Sequence, residues 1–192
     1  EAARYWMRRV AEPPETAEAG DWWLKRARLA VKLGDYAQGA AFLRRILEGS
    51  DRIGRPDFRH RFLQVVFDLQ KADAHAEALR LFQAVAAHVA VPEARRELLF
   101  WQAECRQGLN DPRKAARLYL RSAAHAPGDP GDPWGRTARF RAARALEDTP
   151  YRADARRIYR ALLGGGTGEQ NLAIKRRLRR MEANGNGTAG AQ

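Results

Sequence analysis

The side chains best suited to bind metal or attack a substrate are His60, His75, His88, His125 and the single cysteine, Cys105. Their spacing supports neither chemistry. A metal site needs ligands gathered at short spacings, and no CxxC or Cys/His pattern exists. Nucleophilic catalysis needs a base set beside the nucleophile, and no Ser/His/Asp or Cys/His set has support here. Gly164-Gly165-Gly166 lacks the preceding strand that a phosphate cradle requires, so it reads as a linker. Cys105 falls within a helical pattern and reads as a small buried residue. No catalytic, cofactor-binding or metal-binding residue is expected, and the chain reads as a non-enzyme.

Recognition chemistry remains. The chain carries 35 Lys+Arg against 23 Asp+Glu, a net charge of +12. Residues 1–90 hold 15 basic and 12 acidic side chains, and residues 91–192 hold 20 and 11. A basic surface is expected from Arg113, Lys114, Arg117, Arg121, Arg156, Arg157, Arg160, Arg176, Arg177 and Arg180. The plain reading is a solvated set of helix faces. The sharper one is attraction to phosphates, acidic lipids or an acidic protein, which makes a membrane surface a candidate partner. Nucleic acid is not expected, because base stacking needs exposed aromatics among the cations, and Tyr119 and Tyr159 fall at core positions.

The elements that position these groups are helical. Apolar residues recur at helical spacing over 2–10, 19–33, 36–49, 57–71, 74–89, 92–108, 112–125, 134–147, 151–163 and 168–182. No stretch alternates long enough to predict a strand, and no apolar run is long enough to cross a bilayer. Pro56, Pro92, Pro112, Pro133 and Pro150 fall where new helices should begin. The chain opens inside a helical pattern (Ala3, Trp6, Met7, Val10) and is expected to start within a longer array.

A repeat organises the helices. Small or compact residues pair at a fixed separation: Ala27 with Gly39, Val66 with Ala78, Ala103 with Ala115, Ala143 with Ala155. A turn of helix past each second landmark stands a large apolar residue: Leu43, Phe82, Tyr119, Tyr159. The copies recur at a period of roughly 40 residues, which lies in the range of helical repeat arrays. Such a period predicts a solenoid of helix hairpins, whose faces present surface.

These landmarks resemble the tetratricopeptide repeat family. Repeat one gives Trp23, Ala27, Gly34-Asp35-Tyr36, Gly39 and Leu43. Repeat two gives Phe62, Val66, Ala78, Phe82 and Val85. Repeat three gives Leu99, Ala103, Asn110-Asp111-Pro112, Ala115, Tyr119, Ser122 and Pro127. Repeat four gives Ala143, Leu146, Ala155, Tyr159 and Leu162. The resemblance implies an all-α, right-handed α-solenoid of about four hairpins with a C-terminal capping helix. Residues 1–182 would form one superhelical domain. Within it, 1–12 would be the second helix of a truncated upstream repeat, the repeats about 19–50, 57–90, 92–127 and 134–164, and the cap 168–182. Residues 183–192 would be a disordered tail. Phe100-Trp101-Gln102-Ala103-Glu104, Arg157-Ile158-Tyr159 and the helix Ala173 to Met181 look more narrowly like bacterial cell-envelope repeat proteins. Those are of the Tol-Pal-associated coordinator and outer-membrane assembly lipoprotein type. A periplasmic or envelope location is the implied reading, with cytoplasm the alternative.

In this family the first helix of each pair lines a concave groove. The groove would display Leu24, Arg28, Leu63, Phe67, Phe100, Glu104, Phe140 and Arg144, with Thr137, Glu147 and Asp148 beside them in the fourth repeat. Its apolar row, Leu24, Leu63, Phe67, Phe100 and Phe140, would take a peptide or helix of a partner protein. The family's carboxylate clamp needs Lys and Asn where this row stands, so a chaperone-tail adaptor is not expected. The first reading is a non-catalytic protein-binding scaffold, in which Phe100→Asp would abolish capture and leave helicity intact. The alternatives are a basic adaptor for an anionic polymer or membrane surface, and an accessory region of a larger envelope enzyme.

Overall fold

The computed structural model describes residues 19–49, 51–125 and 132–186. The expected helix at 2–10, most of the linker at 125–133 and the end of the chain lie outside them. The described residues form α-helices and one 3-10 turn, with no strand among them. The helices are α1 Ala19–Lys32, α2 Tyr36–Gly49, α3 Pro56–Lys71, α4 His75–Ala87, α5 Pro92–Gly108, α6 Pro112–Ala124, α7 Pro133–Leu146, α8 Arg152–Leu162 and α9 Gly168–Asn186. The 3-10 turn, Asp51–Gly54, precedes α3. α9 runs past its expected end at 182, so residues 183–186 are helical rather than part of a disordered tail. Met181 is buried and anchors the helix. Extending a formed helix by a turn needs no new nucleus.

Local chemistry explains the boundaries. Four helices open on a proline, where its missing N–H leaves no bond unmade. Asp111 and Asp35 act as N-terminal caps. The Asp111 carboxylate accepts from the Lys114 amide at 3.2 Å, and Asp35 accepts from Gln38 at 3.0 Å. Thr167 and Gln170 close a capping box on α9. Each side chain accepts the other's backbone N–H at 3.4 Å. The first three hairpin turns share one device. Gly34, Asp73 and Asn110 sit at φ 81, 60 and 55 degrees. They end α1, α3 and α5 in the left-handed conformation. The following amides then reach back to Ala30, Leu69 and Arg106 carbonyls. The α7–α8 turn cannot copy this, because Pro150 fixes φ negative. There the Thr149 hydroxyl donates to the Leu146 carbonyl and accepts from the Tyr151 amide.

Two compact units result, Glu1–Val91 and Pro92–Gln192. In the first, α1 packs on α2 and α3, and α4 packs on α2 and α3. Its core holds Leu43, Ile46, Ile53, Phe58, Phe62, Val66, Leu69 and Phe82, all at most 1% exposed. Gly39 lets α1 and α2 close up: a Cβ there would lie 2.7 Å from Val31 Cγ2 and 3.3 Å from the Ala27 carbonyl oxygen. Trp22 and Trp23 are both half-buried, since helix neighbours diverge by about 100°. Trp23 lies against Phe42, and Arg26 covers Trp22.

In the second unit α5, α6, α7, α8 and α9 pack in succession. Ala103, Ala115, Ala143 and Ala155 are fully buried and let the helices approach, while Tyr119 and Tyr159 fill the space between. Asp132 caps α7 through the Trp134 and Gly135 amides and pairs with Arg96. That guanidinium holds the Asp132 carboxyl below the usual carboxylate range. A depressed folded pKa adds stability above the unfolded value, about 4, which is lost as pH falls through the folded one. Asn caps as well as Asp, so Asp132→Asn isolates the charge. The variant is expected to lose about 2 kcal/mol at neutral pH, between exposed and buried pairs. Its melting temperature should converge with the parent's in strong acid. A gap that persists there would assign the loss to packing instead.

Candidate functional site

The structure divides the expected groove residues. Arg28 and Arg144 are exposed, and Leu63, Phe67, Glu104 and Phe140 are half-buried. Leu24 and Phe100 are not groove residues: they are 4% and 8% exposed. Leu24 shares the buried stripe of α1 with Gly20 and Ala27, so it follows the landmark inward. Phe100 is enclosed by aromatic rings, with Trp101, Tyr119 and Trp134 at centroid distances of 5.4, 5.2 and 5.1 Å. A first helix packs on both its own partner and the next hairpin, which turns more of its surface inward than a single face.

The large residue after each second landmark tells the hairpins apart. Leu43, Phe82, Tyr119 and Tyr159 are all fully buried. Phe82 meets Phe67 at 5.4 Å, an apolar contact. The Tyr119 hydroxyl instead donates to Glu104, which stands at the position equivalent to Phe67, at 2.6 Å. The Tyr159 hydroxyl donates to Glu147, whose carboxylate also accepts from Arg177 Nη1 at 2.9 and 2.8 Å. Burial and the carboxylate neighbours hold both phenols well above their ordinary range. Glu104 is thereby committed inside the fold, with Arg141 3.7 Å away. Arg177, expected on the basic surface, is likewise turned inward to Glu147. Burial, with the Glu104 charge behind it, pushes the Cys105 thiol up to about 12. That suits an inert core residue.

An open cleft of about 630 Å³ lies in the second unit where the first halves of α7 and α9 flank the end of α8. Pro133, Arg136, Thr137 and Phe140 line it from α7. Their spacing, i, i+3, i+4 and i+7, places them on one face. Gln170, Ala173 and Ile174 face them from α9, with Leu162 and the Gly165-Gly166-Thr167 loop completing the lining. Ile174 and Leu162 are 2% and 5% exposed and form an apolar floor. Thr137 and Phe140 lie on the helix face to which the sequence assigned the groove. Arg136, Gln170, Ala173 and the glycine run were not part of that assignment, and the capping box at Thr167–Gln170 was the one local signal near them.

The arginine surface is mostly as expected. Arg113, Lys114, Arg117, Arg121, Arg157, Arg160, Arg176 and Arg180 are exposed, and Arg156 is half-buried. Arg157 pairs with Asp154, and Arg113 covers the ring of Tyr151 at 5.1 Å. Among the described residues no cluster of His, Cys, Asp and Glu is set to hold a metal ion, and no helix is long and apolar enough to cross a membrane. The chain matches no family model and no curated protein sequence.

Proposed function

We propose that this chain is a helical-repeat scaffold of tetratricopeptide type, an α-solenoid that holds a segment of a partner protein. The observation that supports this reading most directly is the cleft between α7, α8 and α9. It is open and lined mainly by apolar groups. Its size is one that seats side chains of a ligand. Two residues assigned to partner contact from the repeat, Thr137 and Phe140, line it. An open cleft with an apolar floor offers burial to an apolar side chain of a partner.

Ala173→Trp tests the reading. Ala173 is exposed on α9 and lines the cleft, so an indole there fills the cleft without disturbing the core. The immobilised parent protein is expected to enrich members of a random dodecapeptide display library. Ala173→Trp is expected to enrich none of them. Equal enrichment on both proteins would remove the cleft from the binding surface.

A further inference from the structure

We infer that the segment seated in this cleft is acidic, with an apolar anchor side chain on Phe140, Leu162 and Ile174 and an Asp or Glu side chain on Arg136. The inference rests on the reading above that the cleft holds a partner segment.

Among the described residues, Arg136 is the only cation in the lining. Its Nε donates to the Gln170 side-chain oxygen at 3.0 Å, and its Nη2 donates to the Asn171 side-chain oxygen at 3.1 Å. Both acceptors are neutral amides. They fix the direction of the guanidinium and leave its charge whole. Among the described residues no carboxylate stands within ion-pair distance of it. A guanidinium carries five N–H groups, and two are used, so three are left to donate to a carboxylate.

The surroundings are shaped around this group. A Cβ on Gly165 would lie 3.3 Å from Arg136 Nη1, and one on Gly166 would collide with the guanidinium. Gln170 is itself held by its capping box with Thr167. The arginine is therefore oriented before any partner arrives, and ordering it adds little to the cost of binding. A cation fixed at the edge of an apolar floor selects a ligand with the opposite charge beside an apolar group. The surplus of basic side chains in residues 91–192 favours the same partner at longer range.

The display selection tests this when each peptide is fused to its carrier through the C-terminus, so that side chains supply the only carboxylates. The enriched peptides are expected to share an apolar anchor and a nearby Asp or Glu. An enriched peptide, synthesised with an amidated end, is expected to bind Arg136→Gln about tenfold more weakly than the parent protein. Changing its acidic residue to Asn or Gln should weaken binding by the same factor, and the two changes together should add little more. Gly166→Ala, which keeps the charge but displaces the guanidinium, should reproduce the loss while the far-UV circular dichroism stays native. An apolar consensus without acid, or unaltered binding by Arg136→Gln and Gly166→Ala, overturns the acidic partner and leaves the scaffold standing. Enrichment that ignores Ala173→Trp overturns both.

Discussion

Phe100→Asp is expected to unfold the second unit. Its ring is 8% exposed and touches three other aromatic rings on α5, α6 and α7. Removing a buried phenylalanine side chain costs about 3–5 kcal/mol through lost transfer energy and the cavity left behind. The carboxylate adds a buried charge, and the cation one turn away, Arg96, is already paired with Asp132. The combined loss, at least about 5 kcal/mol, reaches the lower end of what a whole domain has. The family resemblance led to the opposite expectation, a binding defect with helicity preserved. Far-UV circular dichroism and urea denaturation decide between them. Phe100→Leu serves as the control and should cost only about 1 kcal/mol. Native helicity and an unchanged urea midpoint for Phe100→Asp would mean that the ring is not part of the core.

Ending the chain at Glu169 should produce the second large effect. Ile174, Leu178 and Met181 of α9 are 2%, 8% and 4% exposed, so the cut removes their contacts and bares the surface of α8 beneath them. At about 2 kcal/mol for each buried side chain, roughly 6 kcal/mol is withdrawn. The cut also strips Glu147 of its ion-pair partner Arg177 and leaves that carboxylate with the Tyr159 hydroxyl. Arg177→Met separates the two contributions. It should cost about 2 kcal/mol, the scale of a part-buried charge-assisted pair. The shortened chain should lose clearly more, read as a lower urea midpoint. Equal losses for the two would show that the ion pair, and not the apolar face, holds α9 in place.

The all-helical character of the fold was legible because its devices are local and recur along the chain. Ala27 against Gly39 is a spacing rule in the sequence and a close approach of α1 and α2 in three dimensions. Gly34, Asp73 and Asn110 occur at matching places in three copies, each at a position whose left-handed backbone favours its type. The buried row Leu43, Phe82, Tyr119 and Tyr159 follows from the same period. The candidate site was only half legible. Thr137 and Phe140 follow from the helical face, but the opposite wall belongs to α9, which lies beyond the last full repeat. The glycines at 164–166 read as a linker because nothing local shows that Arg136, two helices earlier, will lie on Gly165 and Gly166. Leu24 and Phe100 went astray for a related reason. Helical periodicity assigns a face, and only packing decides how many neighbours share it.

One wall of the cleft is the last described helix, and that links occupancy to local unfolding. Gln170, Ala173 and Ile174 belong to the site only while α9 is docked. A ligand held there binds the docked form and not the open one, so by mass action it lowers the frequency with which α9 detaches. The converse holds with equal force. Whatever loosens α9 would weaken the hold on such a ligand, even when it touches no residue of the cleft. α9 is thus both a lining and a thermodynamic clasp, and the exchange rates of its amide protons would record whether the cleft is filled.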